Sequence, residues 1–195
     1  NRVAFTPDPH APIHDVIVVG GGPSGATAAE DLARDGRDVV LLDRAGRIKP
    51  CGGAIPPRLV RDFDIPERLI VARIAGARMV APSERHVDMA IDGGYVGKVD
   101  REDYDEFLRE RARLAGAARV TGTFERFERL SDGTVAIGYR RKGTDGLQTL
   151  RARYVLGADG ANSGVAREAM PDAKRPPFVF AYHEIVRSPA RGEAA

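Results

Sequence analysis

Residues Asp15 to Asp43 read DVIVVGGGPSGATAAEDLARDGRDVVLLD, and the rest of the chain is organised around them. Val16-Ile17-Val18-Val19 is a short β-branched run with the composition of a strand buried on both faces. Gly20-Gly21-Gly22-Pro23-Ser24-Gly25 satisfies G-x-G-x-x-G, with Gly20, Gly22 and Gly25 as the fixed glycines. Ala26 to Arg34 are good helix formers, with Ala29, Leu32 and Ala33 at helical spacing, and Gly36 ends the helix. Val39 to Leu42 make a second apolar strand, which Asp43 closes.

Each part of this strand–turn–helix–strand unit has a physical task. Gly20 permits the tight turn out of the strand, Gly22 lets a pyrophosphate approach the backbone, and Gly25 lets the helix pack close to the sheet. The free N–H groups and positive dipole end of the helix then face the phosphates, with Pro23 and Ser24 in the same cradle. Asp43 stands 23 residues beyond Gly20, where a carboxylate at a strand end accepts hydrogen bonds from a ribose diol. A 2′-phosphate would be repelled there, so the groove is expected to hold FAD or NAD and not NADP. Arg44 has two readings, stacking on adenine or standing as a solvated surface arginine.

The 195 residues suffice for one large domain or two small ones. With 30 basic and 28 acidic residues the net charge is only +2, which implies no nucleic-acid partner. The single cysteine excludes an internal disulfide and fits a reducing compartment, so a cytoplasmic location is expected. No run approaches the roughly 18 apolar residues of a membrane span. Residues 1–14 are polar and Pro-rich and are expected to form a flexible lead-in; His10 and His14 within it are not expected to bind metal.

Beyond Asp43, the loop RAGRIKPCGGAIPP (residues 44–57) is too rich in breakers for helix or central strand, and Pro57 to Asp64 predict one short helix. ARMVAP, RHVDMAI and GYVGKV, between Ala75 and Val99, alternate like antiparallel strands and predict an insertion over about residues 46–99. Asp100 is a good N-cap for a helix from Arg101 to about Ala115, with Glu102 and Asp103 in its first turn. Tyr104, Phe107, Leu108 and Ala112 form its apolar stripe. Ala118 to Val120 predict a further parallel strand. Thr123–Leu130, Thr134–Arg141 and Leu147–Arg153 predict a three-stranded meander, turned at Ser131-Asp132-Gly133 and Thr144-Asp145-Gly146. A separate strand, Tyr154 to Gly157, then runs into Ala158-Asp159-Gly160, followed by a short helix from about Ser163 to Met170 and a last strand over Phe178–Val186. His86 and His183 read as surface or internally satisfied histidines.

This order of elements resembles the FAD-binding domain of the glutathione-reductase-like flavoproteins, in the branch shared with aromatic hydroxylases. The resemblance implies an α/β fold: a three-layer ββα, Rossmann-like FAD/NAD(P)-binding domain over residues 15–195, with the antiparallel insertion and the β-meander. It also implies that Asp159 and Gly160 lie near the ribityl–pyrophosphate region and that Arg101 points towards FAD. As bare chemistry, Asp159 and Gly160 are a capped strand end and a turn, and Arg101 pairs with a local acid.

Lys49-Pro50-Cys51-Gly52-Gly53-Ala54-Ile55-Pro56 resembles the signature of the geranylgeranyl reductases, in its chlorophyll and bacteriochlorophyll branch. GGGPSGATAAEDLA, VDREDYDEFLRERA and GADGANS resemble the same branch. The resemblance implies FAD and NADPH as cofactors and reduction of a geranylgeranyl group to phytyl, on a pigment or as the diphosphate. It places Cys51, Gly52 and Gly53 at the reaction. A thiol with a reference pKa of roughly 8.5 is mostly protonated at neutral pH and could donate a proton. Gly52 and Gly53 would let the backbone approach a planar ligand. A greasy C20 substrate also implies peripheral association with the photosynthetic membrane. Two alternatives stay open: a flavin-dependent aromatic monooxygenase of the same fold, and a non-catalytic FAD-binding fragment. Related flavoproteins carry a second Gly-Asp segment; none lies between Val186 and Ala195, so the N-terminal portion of a larger flavoenzyme is expected.

Overall fold

The computed structural model describes residues 5–44, 46, 49, 51–92, 94–173 and 177–179. In chain order the elements are β1 (Ile13–Val19), α1 (Pro23–Arg34), β2 (Val39–Asp43), β3 (Ala54–Ile55), α2 (Pro57–Asp62), a 3-10 turn (Glu67–Leu69), β4 (Ile70–Ile74), β5 (Gly76–Val80), β6 (His86–Ala90), β7 (Val96–Val99), α3 (Arg101–Leu114), β8 (Ala118–Thr121), β9 (Thr123–Arg129), β10 (Val135–Arg140), β11 (Gln148–Gly157) and α4 (Gly164–Ala169). They fall into two compact units, Asn1–Ile48 with Glu102–Lys174, and Lys49–Arg101 with Arg175–Ala195.

The first unit is a mixed sheet in the order β8-β2-β1-β11-β10-β9. Its β8, β2, β1 and β11 are parallel, and β11, β10 and β9 are antiparallel. The two strands expected over Leu147–Arg153 and Tyr154–Gly157 are one. No turn residue interrupts this run before Gly157, so the chain stays extended. Its first half pairs antiparallel with β10 (Tyr139↔Gln148 to Val135↔Ala152), and its second half pairs parallel with β1 (Ile13↔Arg151 to Val19↔Gly157).

Alternation along β1 and β2 sends Ile17, Val19, Val40 and Leu42 into one cluster with Ile137, Tyr139, Ala152 and Val165. That face is covered by the meander, and α1 packs on β1 and β2. Ala26, Ala29 and Ala33 of α1 are buried, and their small side chains bring the helix close to the strands. Full burial of side chains such as Ile17 or Leu41 contributes roughly 1.5–3 kcal/mol each. Glu30, also buried on α1, accepts hydrogen bonds from Arg111 of α3 at 3.1 Å (Nε) and 2.9 Å (Nη2), and pairs with Arg34. This ion cluster fastens α3 to α1.

α1 starts at Pro23, ahead of the expected Ala26, because the fixed φ of proline suits the first helical position. Two hydrogen bonds join the expected lead-in to the sheet, at Asp8 and at Pro9. The Asp8 N–H donates to Thr149 Oγ1 at 3.1 Å, and Arg151 Nη1 donates to the Pro9 carbonyl at 2.6 Å. β1 begins at Ile13, within the expected lead-in, and His14 Nδ1 pairs with Asp38 at 2.9 Å.

The second unit holds a three-stranded sheet, β3-β7-β4, and a separate β5–β6 hairpin, all antiparallel. Strands β3 and β4 have no counterpart in the sequence reading, and they, not the hairpin, flank β7. The strand expected over Phe178–Val186 lies outside the described residues, apart from Phe178 and Val179, which are exposed and in no regular element. His183 also lies outside them. Among the described residues no helix is long and apolar enough to cross a membrane.

Candidate cofactor-binding site

The turn from β1 to α1 is built by glycines that serve different neighbours. Gly20 has φ +108°, and a Cβ there would stand 2.4 Å from the Ala158 carbonyl oxygen, so the turn nests against the end of β11. A Cβ on Gly25 would lie 1.8 Å from the Gly20 carbonyl oxygen; only glycine admits the helix at this distance. Gly22 is different. Its φ is −75°, accessible to any residue, and a Cβ there would meet nothing within 4 Å. Among the described residues neither the backbone nor a neighbouring atom requires glycine at 22, whereas a phosphate lying against the backbone would.

The end of α1 supports the same reading. Gly22 is its N-cap and supplies no side-chain hydrogen bond, Pro23 follows, and the first turn contains no acidic residue. The helix therefore presents its N–H groups and positive end with no side-chain cap and no acid in its own first turn. Ser24 is exposed in that turn. Pyrophosphate fits this cradle chemically.

Asp43, at the end of β2, accepts a hydrogen bond from the Gly21 N–H at 2.8 Å through Oδ2. A carboxylate offers about four lone-pair sites, so accepting from Gly21 is compatible with accepting from a ribose hydroxyl. Arg109 of α3 donates from Nη1 to the Gly21 carbonyl at 3.1 Å and from Nε to Glu106 at 2.9 Å. Arg119 donates to the same Glu106 at 2.8 and 3.0 Å. The Arg119 guanidinium, with Arg109 adding to it against partial burial, holds the Glu106 carboxyl below its ordinary value. Gly21, Glu106, Arg109 and Arg119 were missed in the sequence. The Glu106–Arg109 spacing of three is visible on a helix, but such pairs are common on solvated faces. Arg44 is exposed, next to Asp43.

At the end of β11 a second glycine turn leads into α4. The Asp159 carboxylate accepts from the Gly164 N–H at 2.6 Å, from the Val165 N–H at 3.2 Å and from the Ser163 hydroxyl. Ser163 is the N-cap and accepts from the Ala166 N–H at 2.8 Å. The bare-chemistry reading of Asp159, a cap, is what its carboxylate does within the chain. Gly160 follows with φ +87° and is exposed.

In the second unit Cys51 is exposed. The Gly53 backbone hydrogen bond holds its thiol below the ordinary value; partial burial opposes this, and Arg101 and Lys98 add to the lowering. These neighbours favour the thiolate relative to a free thiol. Gly53 also has its own structural reason. Its φ is +65°, and a Cβ would lie 2.0 Å from the Val99 carbonyl oxygen, so it backs onto β7. Arg101, expected to point towards FAD, hydrogen-bonds to the Cys51 side chain. Gly52 is half-buried beside them.

A family profile described as FAD dependent oxidoreductase matches residues 15–161. The chain belongs to this family. Among relatives of this FAD-dependent oxidoreductase, the geranylgeranyl diphosphate reductase of Rhodobacter capsulatus is 60% identical over 176 residues, covering 90% of this chain and 44% of that protein. The chloroplastic geranylgeranyl diphosphate reductase of Oryza sativa subsp. japonica is 39% identical over 189 residues, covering 89% and 40% respectively. A solved structure of a geranylgeranyl bacteriochlorophyll reductase-like protein from Thermoplasma acidophilum superimposes with a TM-score of 0.72 at 28% identity, over 81% of this chain and 42% of that one. The chain spans less than half the length of each.

The residues singled out in the sequence thus divide between the two units of this flavoprotein-family chain. Gly20, Gly22, Pro23, Ser24, Gly25, Asp43, Arg44, Asp159 and Gly160 belong to the first, where Gly20 abuts the backbone of Ala158 and Asp159. Cys51, Gly52, Gly53 and Arg101 belong to the second.

Proposed function

We propose that the chain binds FAD at the β1–α1 turn and is part of an NADPH-dependent reductase that saturates double bonds of a geranylgeranyl group. The observation that carries the cofactor half is Gly22, a bare α-carbon that no neighbour among the described residues requires, at a helix N-terminus without a side-chain cap. The relatives named geranylgeranyl diphosphate reductase support the substrate half, and favour it over aromatic hydroxylation.

In this reading the N–H groups at the start of α1 bind the pyrophosphate and Asp43 binds the adenosine ribose, with Arg44 beside it. Asp159 and Gly160 act towards the ribityl side through their backbone, since the Asp159 carboxylate caps α4. Once reduced by NADPH, a flavin held here would supply hydride to one carbon of an isolated alkene. The other carbon takes a proton, and Cys51 is our candidate for its source. A lowered pKa makes Cys51 a stronger acid than a free thiol, with less of it protonated at neutral pH, and Arg101 stabilises the thiolate left behind. Gly52 and Gly53 shape that loop. Peripheral membrane association follows from the lipophilicity of such a substrate.

The test is anaerobic absorbance spectroscopy with added FAD. The expected course is a flavin spectrum on binding, bleaching by NADPH, and recovery of colour on adding geranylgeranyl diphosphate or a geranylgeranyl-bearing pigment. Recovery only with air and an aromatic acid would overturn the reductase reading in favour of a monooxygenase.

A further inference from the structure

We propose that Arg109 is a positioning residue for the phosphate turn, aiming the Gly22 N–H at the cofactor by holding the Gly21 carbonyl. The inference rests on the reading of the β1–α1 turn as the FAD site. Three consecutive glycines, Gly20 to Gly22, give a backbone with little intrinsic preference between peptide orientations. A turn that must present a fixed N–H to a phosphate needs that freedom removed before binding, or binding itself bears the entropy cost.

The removal is visible at Gly21. Its N–H is held by Asp43 at 2.8 Å, and its carbonyl is held by Arg109 Nη1 at 3.1 Å. In a trans peptide the C=O of one residue and the N–H of the next point in opposite directions. With the Gly21 carbonyl turned to Arg109, the Gly22 N–H is turned away from it. Residue 22 is the one whose Cβ direction is open, whereas residue 21 is crowded: a Cβ there would stand 3.0 Å from Arg109 Cδ and 2.8 Å from Asp43 Cβ. The glycine at 21 therefore admits the clamp, and the glycine at 22 admits the ligand.

Arg109 is itself held. Its side chain is 18% exposed, and its Nε donates to Glu106, whose carboxylate also takes two hydrogen bonds from Arg119. The guanidinium fork thus serves two acceptors at fixed angles, which a lysine cannot do. Asp43 reaches Gly21 from 22 residues away and Arg109 from 88, so the turn is closed by two distant elements of the fold.

The test compares wild type, Arg109→Met, Arg109→Lys and the control Arg113→Ala. Arg113 lies one turn further along α3 and pairs with Glu110. Two readouts are taken: the FAD dissociation constant by flavin fluorescence, and amide hydrogen exchange of residues 20–25 in FAD-free protein, with thermal unfolding recorded alongside. Loss of a charge-assisted hydrogen bond predicts a dissociation constant about tenfold higher or more for Arg109→Met. Exchange in the turn should accelerate with unfolding little changed. Arg109→Lys keeps one donor but loses the fork, so its affinity should fall between those of wild type and Arg109→Met. Arg113→Ala should behave as wild type. Unchanged affinity and unchanged turn exchange in Arg109→Met would overturn the proposal. So would equal losses in the Met and Lys variants that track a lowered unfolding temperature, since that would be a helix-docking role. A wild-type chain that bound no FAD would overturn the cofactor reading instead; turn exchange in Arg109→Met would still decide for or against the clamp.

Discussion

Two turns of the same sheet, one after β1 and one after β11, have nearly the same plan and opposite chemistry. β1 and β11 are neighbouring parallel strands, and each passes through a glycine-bearing turn into a helix. After β11, the chain fills the helix end itself: Asp159 and Ser163 take the N–H groups of Gly164, Val165 and Ala166. After β1, the cap is Gly22, the first helical residue is Pro23, and no acid stands in the first turn. One helix end is capped by side chains of its own turn; the other has no such cap, and the carboxylate that reaches its turn, Asp43, comes from the next strand. A carboxylate placed in the turn decides between the two, because the same N–H groups cannot serve an Asp side chain and a phosphate at once.

The largest effect expected is from Gly25→Ala. Its Cβ would sit 1.8 Å from the Gly20 carbonyl oxygen, so the turn must move or α1 must lift. Overpacking against backbone should cost about 3 kcal/mol in a denaturant titration, with FAD binding lost. Gly22→Asp sharpens the comparison by giving the first turn what the second already has. An N-cap aspartate should raise the stability of FAD-free protein by a few tenths of a kcal/mol. The same carboxylate would repel pyrophosphate, and fluorescence titration should show FAD affinity falling by about a hundredfold. A variant that kept its FAD affinity would break the comparison. Asp159→Ala removes the acceptor for two N–H groups and a hydroxyl and should cost about 2 kcal/mol. If Asp159→Asn restores stability and leaves FAD affinity untouched, the carboxylate is a cap and only the backbone faces the cofactor.

The smallest effect concerns Cys51, in the other unit. Its pKa is lowered by the Gly53 hydrogen bond and further by Arg101, so more thiolate is present at neutral pH than for a free thiol. The pH profile of its alkylation should therefore turn over below the roughly 8.5 of an unperturbed thiol. Arg101→Met removes one lowering influence, so the inflection should move up and alkylation at neutral pH should slow by about two- to threefold. An unmoved inflection would remove Arg101 from the thiol's surroundings.

Much of the first unit was legible in the residues alone, because its signals are short-ranged. A β-branched run, glycines at fixed spacing, an alanine-rich helix and an acid at the next strand end lie within 29 residues, Asp15 to Asp43, and each needs only its neighbours to be interpreted. The six-stranded order was less legible. β11 has no breaker where the meander hands over to the parallel sheet, so nothing local marks that one strand serves two partners. β4 escaped for a related reason: Ile70-Val71-Ala72-Arg73-Ile74 does not alternate apolar with polar residues, so it carries no period of two to detect.

What the sequence determined by itself was a strand–turn–helix–strand unit competent to hold a dinucleotide, and the positions of Gly20, Gly22, Gly25 and Asp43 within it. The tertiary structure decided how the surrounding groups are used. It brought Arg109 onto Gly21 from 88 residues away, turned the Asp159 carboxylate into its own helix, and set Gly53 against the Val99 backbone. Glycine spacing and periodicity report the path of the chain over a few residues. Which donor meets which acceptor depends on where distant segments return, and that is set by the packing of the whole sheet.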